Sequence, residues 1–79
     1  MKRYYFDLRD GDALSRDEEG MELPDIETVQ EEAVRALADM ARDRAEAGSG
    51  LARDLAIEVR DDNRPVMRAR FTFDIERLL

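Results

Sequence analysis

Apolar and polar residues alternate over Arg3-Tyr4-Tyr5-Phe6-Asp7-Leu8-Arg9. Tyr4, Phe6 and Leu8 share one face while Arg3, Tyr5, Asp7 and Arg9 share the other, the period of two expected of a strand with one buried side. Asp10-Gly11 ends the alternation, since glycine accepts positive φ and aspartate bonds its own backbone. A short second strand is predicted over 13–16. After a turn at Glu19-Gly20, Met21 and Leu23 alternate with Glu22 in a brief extended piece. At Ile26 the period changes: Ile26, Val29, Ala33, Ala36, Leu37 and Met40 recur at helical spacing and form one apolar stripe. Asp25 is a favourable N-cap, Glu27 suits the positive end of the helix dipole, and Gly48 is a stop signal. One long helix is therefore predicted over about 26–47. At 1.5 Å per residue it would span about 33 Å, against about 23 Å for a seven-residue strand. Its Ala-rich end is expected to overhang the sheet.

Alternation then returns. Leu55, Ile57 and Val59 interleave with Ala56, Glu58 and Arg60; a hairpin loop is predicted over 61–65. Met67, Ala69, Phe71 and Phe73 then fall on one face and Arg68, Arg70 and Thr72 on the other. The tail, 74–79, is expected to add one helical turn that brings Ile75, Leu78 and Leu79 to the core edge. The order ββαββ predicts a two-layer α+β sandwich: one mostly antiparallel four-stranded sheet covered on one face by a single long helix. The 79 residues make a single small domain over 1–79. A chain of this size buries only roughly 60–65% of its unfolded surface, so its stability margin is thin.

Composition narrows the chemistry. There is no cysteine and no histidine. The chain alone therefore supplies no disulfide, no thiolate or imidazole metal ligand, no Ser–His–Asp triad and no general base with an ordinary pKa near neutrality. No enzyme activity and no cofactor are expected; the residual enzyme reading is carboxylate-based and metal-dependent. The opening residues, MKRYYFDLR, contain no apolar targeting core, and no run approaches the roughly 18 apolar residues of a membrane span. That places the expected location in the cytoplasm.

The net charge of −7 argues against nucleic-acid binding through phosphate neutralisation. The charge is unevenly spread. Residues 1–50 carry 14 acids and 7 bases, whereas residues 51–79 carry 6 of each. Twelve of the 13 basic residues are arginine, the cation suited to bidentate and stacked contacts.

Two surfaces are candidates for function. Residues 10–20 hold five carboxylates (Asp10, Asp12, Asp17, Glu18, Glu19), with Asp7 just upstream. A calcium loop needs oxygen ligands at fixed intervals and a glycine at its sixth position. Leu14 and Ser15 occupy a ligand place and the glycine place of that pattern, so no metal site is assigned and the acids read as turn and surface residues. The second candidate is the sheet face away from the helix. A one-helix domain leaves that face open, and it carries Arg3, Tyr5, Arg9, Arg60, Arg68 and Arg70 as candidate partner-binding residues. Arginine and tyrosine are enriched at binding hot spots. Its expected partner is a protein or a second copy of the chain, as a homodimer. Single-stranded RNA would require more stacked aromatics and a basic field.

The segments Arg3-Tyr4-Tyr5-Phe6-Asp7-Leu8-Arg9-Asp10-Gly11 and Asp17-Glu18-Glu19-Gly20-Met21-Glu22-Leu23-Pro24-Asp25 resemble a family of small bacterial proteins of unknown function. Its members begin R-[YF]-[YF]-F-x-L-R-D-G and continue D-x-E-G-x-E-L-P-D before an Ala/Glu-rich helix. The resemblance implies the fold and no activity. A more limited likeness, over about 30 residues, is to HicB-type antitoxins, which share the aromatic first strand, a Pro-Asp before the helix and an E-E-A helix start (here Glu31-Glu32-Ala33). It implies a regulator that binds a toxin protein. The chain lacks the segment those proteins insert between Pro-Asp and the helix, and it lacks their DNA-binding module.

Overall fold

The computed structural model describes residues 1–47, 54–62, 64–73 and 76–79. Its elements run β1 (Lys2–Asp10), β2 (Ala13–Ser15), β3 (Met21–Leu23), α1 (Ile26–Ala47), β4 (Asp54–Arg60) and β5 (Pro65–Thr72). Gly11 takes a left-handed conformation (φ 60°) and turns β1 back into β2, with Asp10 opposite Ala13. β3 pairs with the other half of β1, Tyr4 opposite Met21 and Lys2 opposite Leu23. β2 and β3 therefore share one edge of β1, while β4 occupies its other edge and β5 lies outside β4. Every pairing is antiparallel. The layout is the predicted helix-on-sheet α+β fold, with Met21–Leu23 as a short fifth strand.

The stripe on α1 meets the sheet where the spacing places it. Val29, Ala33 and Leu37 are buried against Leu55, Ile57 and Val59, with Tyr4 and Leu23 closing the N-terminal end. Val29, Ile57 and Val59 are almost fully inaccessible. Asp25 caps the helix as predicted: its carboxylate accepts the Thr28 amide at 2.8 Å and the Thr28 hydroxyl at 2.7 Å. The hydroxyl first, then the amide, hold the Asp25 pKa below the ordinary carboxylate value.

Three expectations need correction. β1 is nine residues long rather than seven, about 30 Å at roughly 3.4 Å per residue. Arg44 still forms an ion pair with Asp10 at the far end of that strand. The overhang thus shrinks to the last three residues of α1, less than one turn. Leu8 and Ile26 are not core residues: the helix packs over β3, β4 and β5, leaving Leu8 37% exposed at the uncovered end of β1 and Ile26 45% exposed at the helix start. Leu78 and Leu79 are exposed and do not cap the core. The predicted stop at Gly48 and the tail residues 74–75 lie outside the described residues.

Candidate functional site

The pairing register assigns the sheet's open face unambiguously. Side chains directly opposite one another in an antiparallel ladder share a face. Asp7 stands opposite Glu58 and Glu58 opposite Arg68; Arg9 stands opposite Ala56 and Ala56 opposite Arg70. Tyr5 is opposite Arg60 and Arg3 opposite Glu22. The six residues singled out from sequence, Arg3, Tyr5, Arg9, Arg60, Arg68 and Arg70, therefore lie on the face away from α1. They fall into two groups with different jobs.

The first group holds the edge of the sheet together. Between Leu8–Ser15 and Tyr4–Met21, β1 advances four residues while the outer chain advances six. Two extra residues cannot continue the ladder, and the amide of Phe6 would lack a backbone acceptor. The Asp17 carboxylate takes that place. Its Oδ2 accepts the Phe6 amide at 3.1 Å, and its Oδ1 accepts the amides of Glu19 and Gly20 at 3.2 Å each. Burial tends to raise the Asp17 pKa, but the Phe6, Gly20 and Glu19 amides and the Arg60 charge outweigh it, and the net shift is downward.

Asp7 supports the same segment from beneath. It is buried although it lies on the face away from the helix, and its Oδ1 accepts the Asp17 amide at 2.9 Å. Arg60 donates to Asp7 Oδ2 at 3.0 Å and to the Asp17 carbonyl at 2.9 Å, while its guanidinium lies 4.5 Å over the Tyr5 ring. Arg3 reaches the Glu19 carbonyl at 2.7 Å and the Glu22 carboxylate at 2.9 Å. Gly20 completes the closure with φ 74°. A Cβ there would stand 2.9 Å from both Arg3 Cγ and Tyr5 Cε2 and 3.0 Å from the Tyr4 carbonyl oxygen. Arg3, Tyr5 and Arg60 are thus engaged internally, and the acidic segment 10–20 owes much of its character to this closure.

The second group lies nearer β5. Glu58 receives Arg9 at 3.0 Å and Arg68 at 3.4 Å on the same oxygen, Oε2. Arg70 is exposed and makes no ion pair among the described residues. Arg9, Arg68 and Arg70 here outnumber Glu58 and Asp54, which stands opposite Thr72 on the same face, leaving a local surplus of positive charge on a chain of net −7. Beside them, where the β4–β5 register shifts at Val59/Arg60, a shallow groove of about 430 Å³ is lined by Asp7, Glu58, Arg60, Pro65, Met67 and Arg68. Sequence reasoning missed the role of Asp17 and Gly20. The available signal was the surplus of residues between the two strand pieces that flank β1.

These features define a class: a small α+β domain with one helix on an antiparallel sheet, its opposite face open and partly basic. The pattern of the family described as a domain of unknown function, DUF6894, matches residues 3–72, and the chain belongs to that family. No curated protein and no solved structure matches the chain. Among the described residues, no helix is long and apolar enough to cross a membrane.

Proposed function

We propose that this domain is a non-enzymatic protein-interaction module, and that it binds through the Arg9, Arg68 and Arg70 end of its open sheet face. The observation that carries this reading is the charge there: Arg9 and Arg68 share one oxygen of Glu58, and Arg70 is exposed and makes no ion pair among the described residues. Such a patch attracts an acidic protein surface, and its long planar cations suit carboxylate recognition. The lack of histidine and cysteine supports the non-enzymatic part of the reading. Nucleic acid fits less well: Tyr5, the aromatic that the described strands place on the open face, is covered by Arg60, and the chain as a whole repels phosphate.

The test compares the wild-type chain with the double variant Arg68→Glu/Arg70→Glu, both in pure solution and immobilised against a lysate of the native cell. Association that needs the two arginines and weakens with rising salt supports the reading. Equal behaviour of the two proteins in both settings overturns it.

A further inference from the structure

The outer edge of β5 carries the same arginines, and its backbone polarity follows from two hydrogen bonds. The Phe6 amide points away from β4, toward Asp17, whereas the Gly11 amide donates to the Asp54 carbonyl at the start of β4. Amide and carbonyl directions alternate along a strand, so Tyr5, Asp7 and Arg9 turn theirs toward β4. Their partners Arg60, Glu58 and Ala56 face back to β1. Leu55, Ile57 and Val59 consequently face β5, where they pair with Phe71, Ala69 and Met67. Arg68, Arg70 and Thr72 are left with amides and carbonyls directed outward, where no strand among the described residues pairs with them.

The edge is long enough to template another strand. β5 runs eight residues, and its one proline stands at the first position, where it interrupts no ladder. Charge then selects the occupant. A residue added directly opposite Arg68 or Arg70 shares the open face with it, at about 5.5 Å between Cα atoms. The nearby carboxylate of Glu58 is already divided between Arg9 and Arg68. A neutral residue fits opposite Thr72, because Asp54 stands on the other side of that threonine. On the helix side the newcomer would lie beside Ala69 and Phe71, and Phe71 is 37% exposed, so apolar side chains fit there. A copy of this same edge does not match. Self-pairing centred on Arg68, Ala69 or Arg70 sets arginine against arginine in every case, which is unfavourable for like charges.

We infer that the outer edge of β5 receives an extended segment of another protein as an added antiparallel strand, with carboxylates opposite Arg68 and Arg70 and an apolar residue between them. The inference rests on the interaction reading above and specifies how the partner binds. Backbone hydrogen bonds supply the attachment, and alternate side chains supply the selectivity. The same two arginines discourage the edge from pairing with its own copies.

A designed peptide tests it on the full chain. The probe is Thr-Val-Glu-Val-Glu-Val-Thr, acetylated and amidated at its ends. In NMR titrations the amides of Arg68 and Arg70 should shift and gain protection from hydrogen exchange. Replacing both glutamates of the peptide with lysine should weaken binding by about tenfold or more. N-methylating both glutamates should do the same, since their amides point at β5; N-methylating the central valine, whose amide points away, should change little. The variant Arg68→Glu/Arg70→Glu, with wild-type circular dichroism, should prefer the lysine peptide. Unchanged Arg68 and Arg70 amides at millimolar peptide, or equal or reversed effects of the two methylations, overturn the inference. A wild-type dimer that protects the same amides overturns it too, by making the occupant a second copy. If binding follows charge but not methylation, the acidic partner lies over the face and the interaction reading stands without the added strand. If it follows neither, both fall.

Discussion

The two ends of the open sheet face use arginine in opposite ways. At the β3 end, Arg60 is enclosed: it donates to a buried carboxylate and to a carbonyl and covers an aromatic ring. At the β5 end, Arg68 shares one carboxylate oxygen with Arg9, and Arg70 stands exposed beside them. An enclosed cation with complete hydrogen bonding holds neighbouring segments in place, because losing one partner strands the others. An exposed cation contributes little to folding and is available to a partner. Residue type and strand parity are the same at both ends; what differs is whether a loop folds back over the sheet.

The largest expected effect lies at the enclosed end. Asp7→Ala should cost about 2–4 kcal/mol, since it leaves Arg60 and the Asp17 amide without their acceptor. In a domain with a thin margin this removes most of the cooperative urea transition. A loss below about 0.5 kcal/mol would show that the network is ornamental. Gly20→Ala should cost about 1–3 kcal/mol, because a side chain there combines a positive φ with contacts at 2.9 Å. Thermal unfolding reads this directly, and an unchanged midpoint would mean that the segment 16–20 relaxes freely.

The pH dependence separates the two ends further. The Asp17 pKa is lowered by folding, so its ionised form stabilises the native state above the unfolded carboxylate value near 4. That contribution is lost as pH falls through the lowered folded value. Asp17→Asn should therefore flatten the decline in urea midpoint below about pH 4. Some decline should remain, because the Asp25 pKa is lowered in the same direction at the helix cap. A variant with the wild-type acid profile would exclude Asp17 from the linkage. The smallest effect is expected at the exposed end. Arg70→Ala should change stability by no more than about 0.5 kcal/mol while weakening association. A destabilisation above about 1 kcal/mol would erase the distinction between the ends.

Much of the fold was legible in the residues. The period-two runs around Phe6, Ile57 and Ala69, the period-3.6 stripe from Val29 to Met40 and the Asp25 cap are local signals, and each became the predicted element. Parity alone also sent Arg3, Tyr5, Arg9, Arg60, Arg68 and Arg70 to one face, because a strand leaves its side chains only two directions. The resemblance to a family of unknown function holds at that level, over residues 3–72. The likeness to HicB-type antitoxins remains a resemblance and gains no support from a solved structure or a curated protein.

The division of that face was not legible. Asp7 and Asp17 are ten residues apart, and Arg60 lies 53 residues from Asp7. Nothing local tells Asp17 from Glu18, or Arg60 from Arg70. Sequence by itself determined which residues form strands, which form the helix and which share a face, because backbone sterics and side-chain periodicity act over a few residues. Only the tertiary structure decided that Asp17 replaces a missing ladder bond, that Leu8 lies beyond the helix, and that Arg70 stays exposed. Those outcomes depend on which distant groups come within hydrogen-bonding or packing distance, and that is settled when the sheet closes beneath the helix.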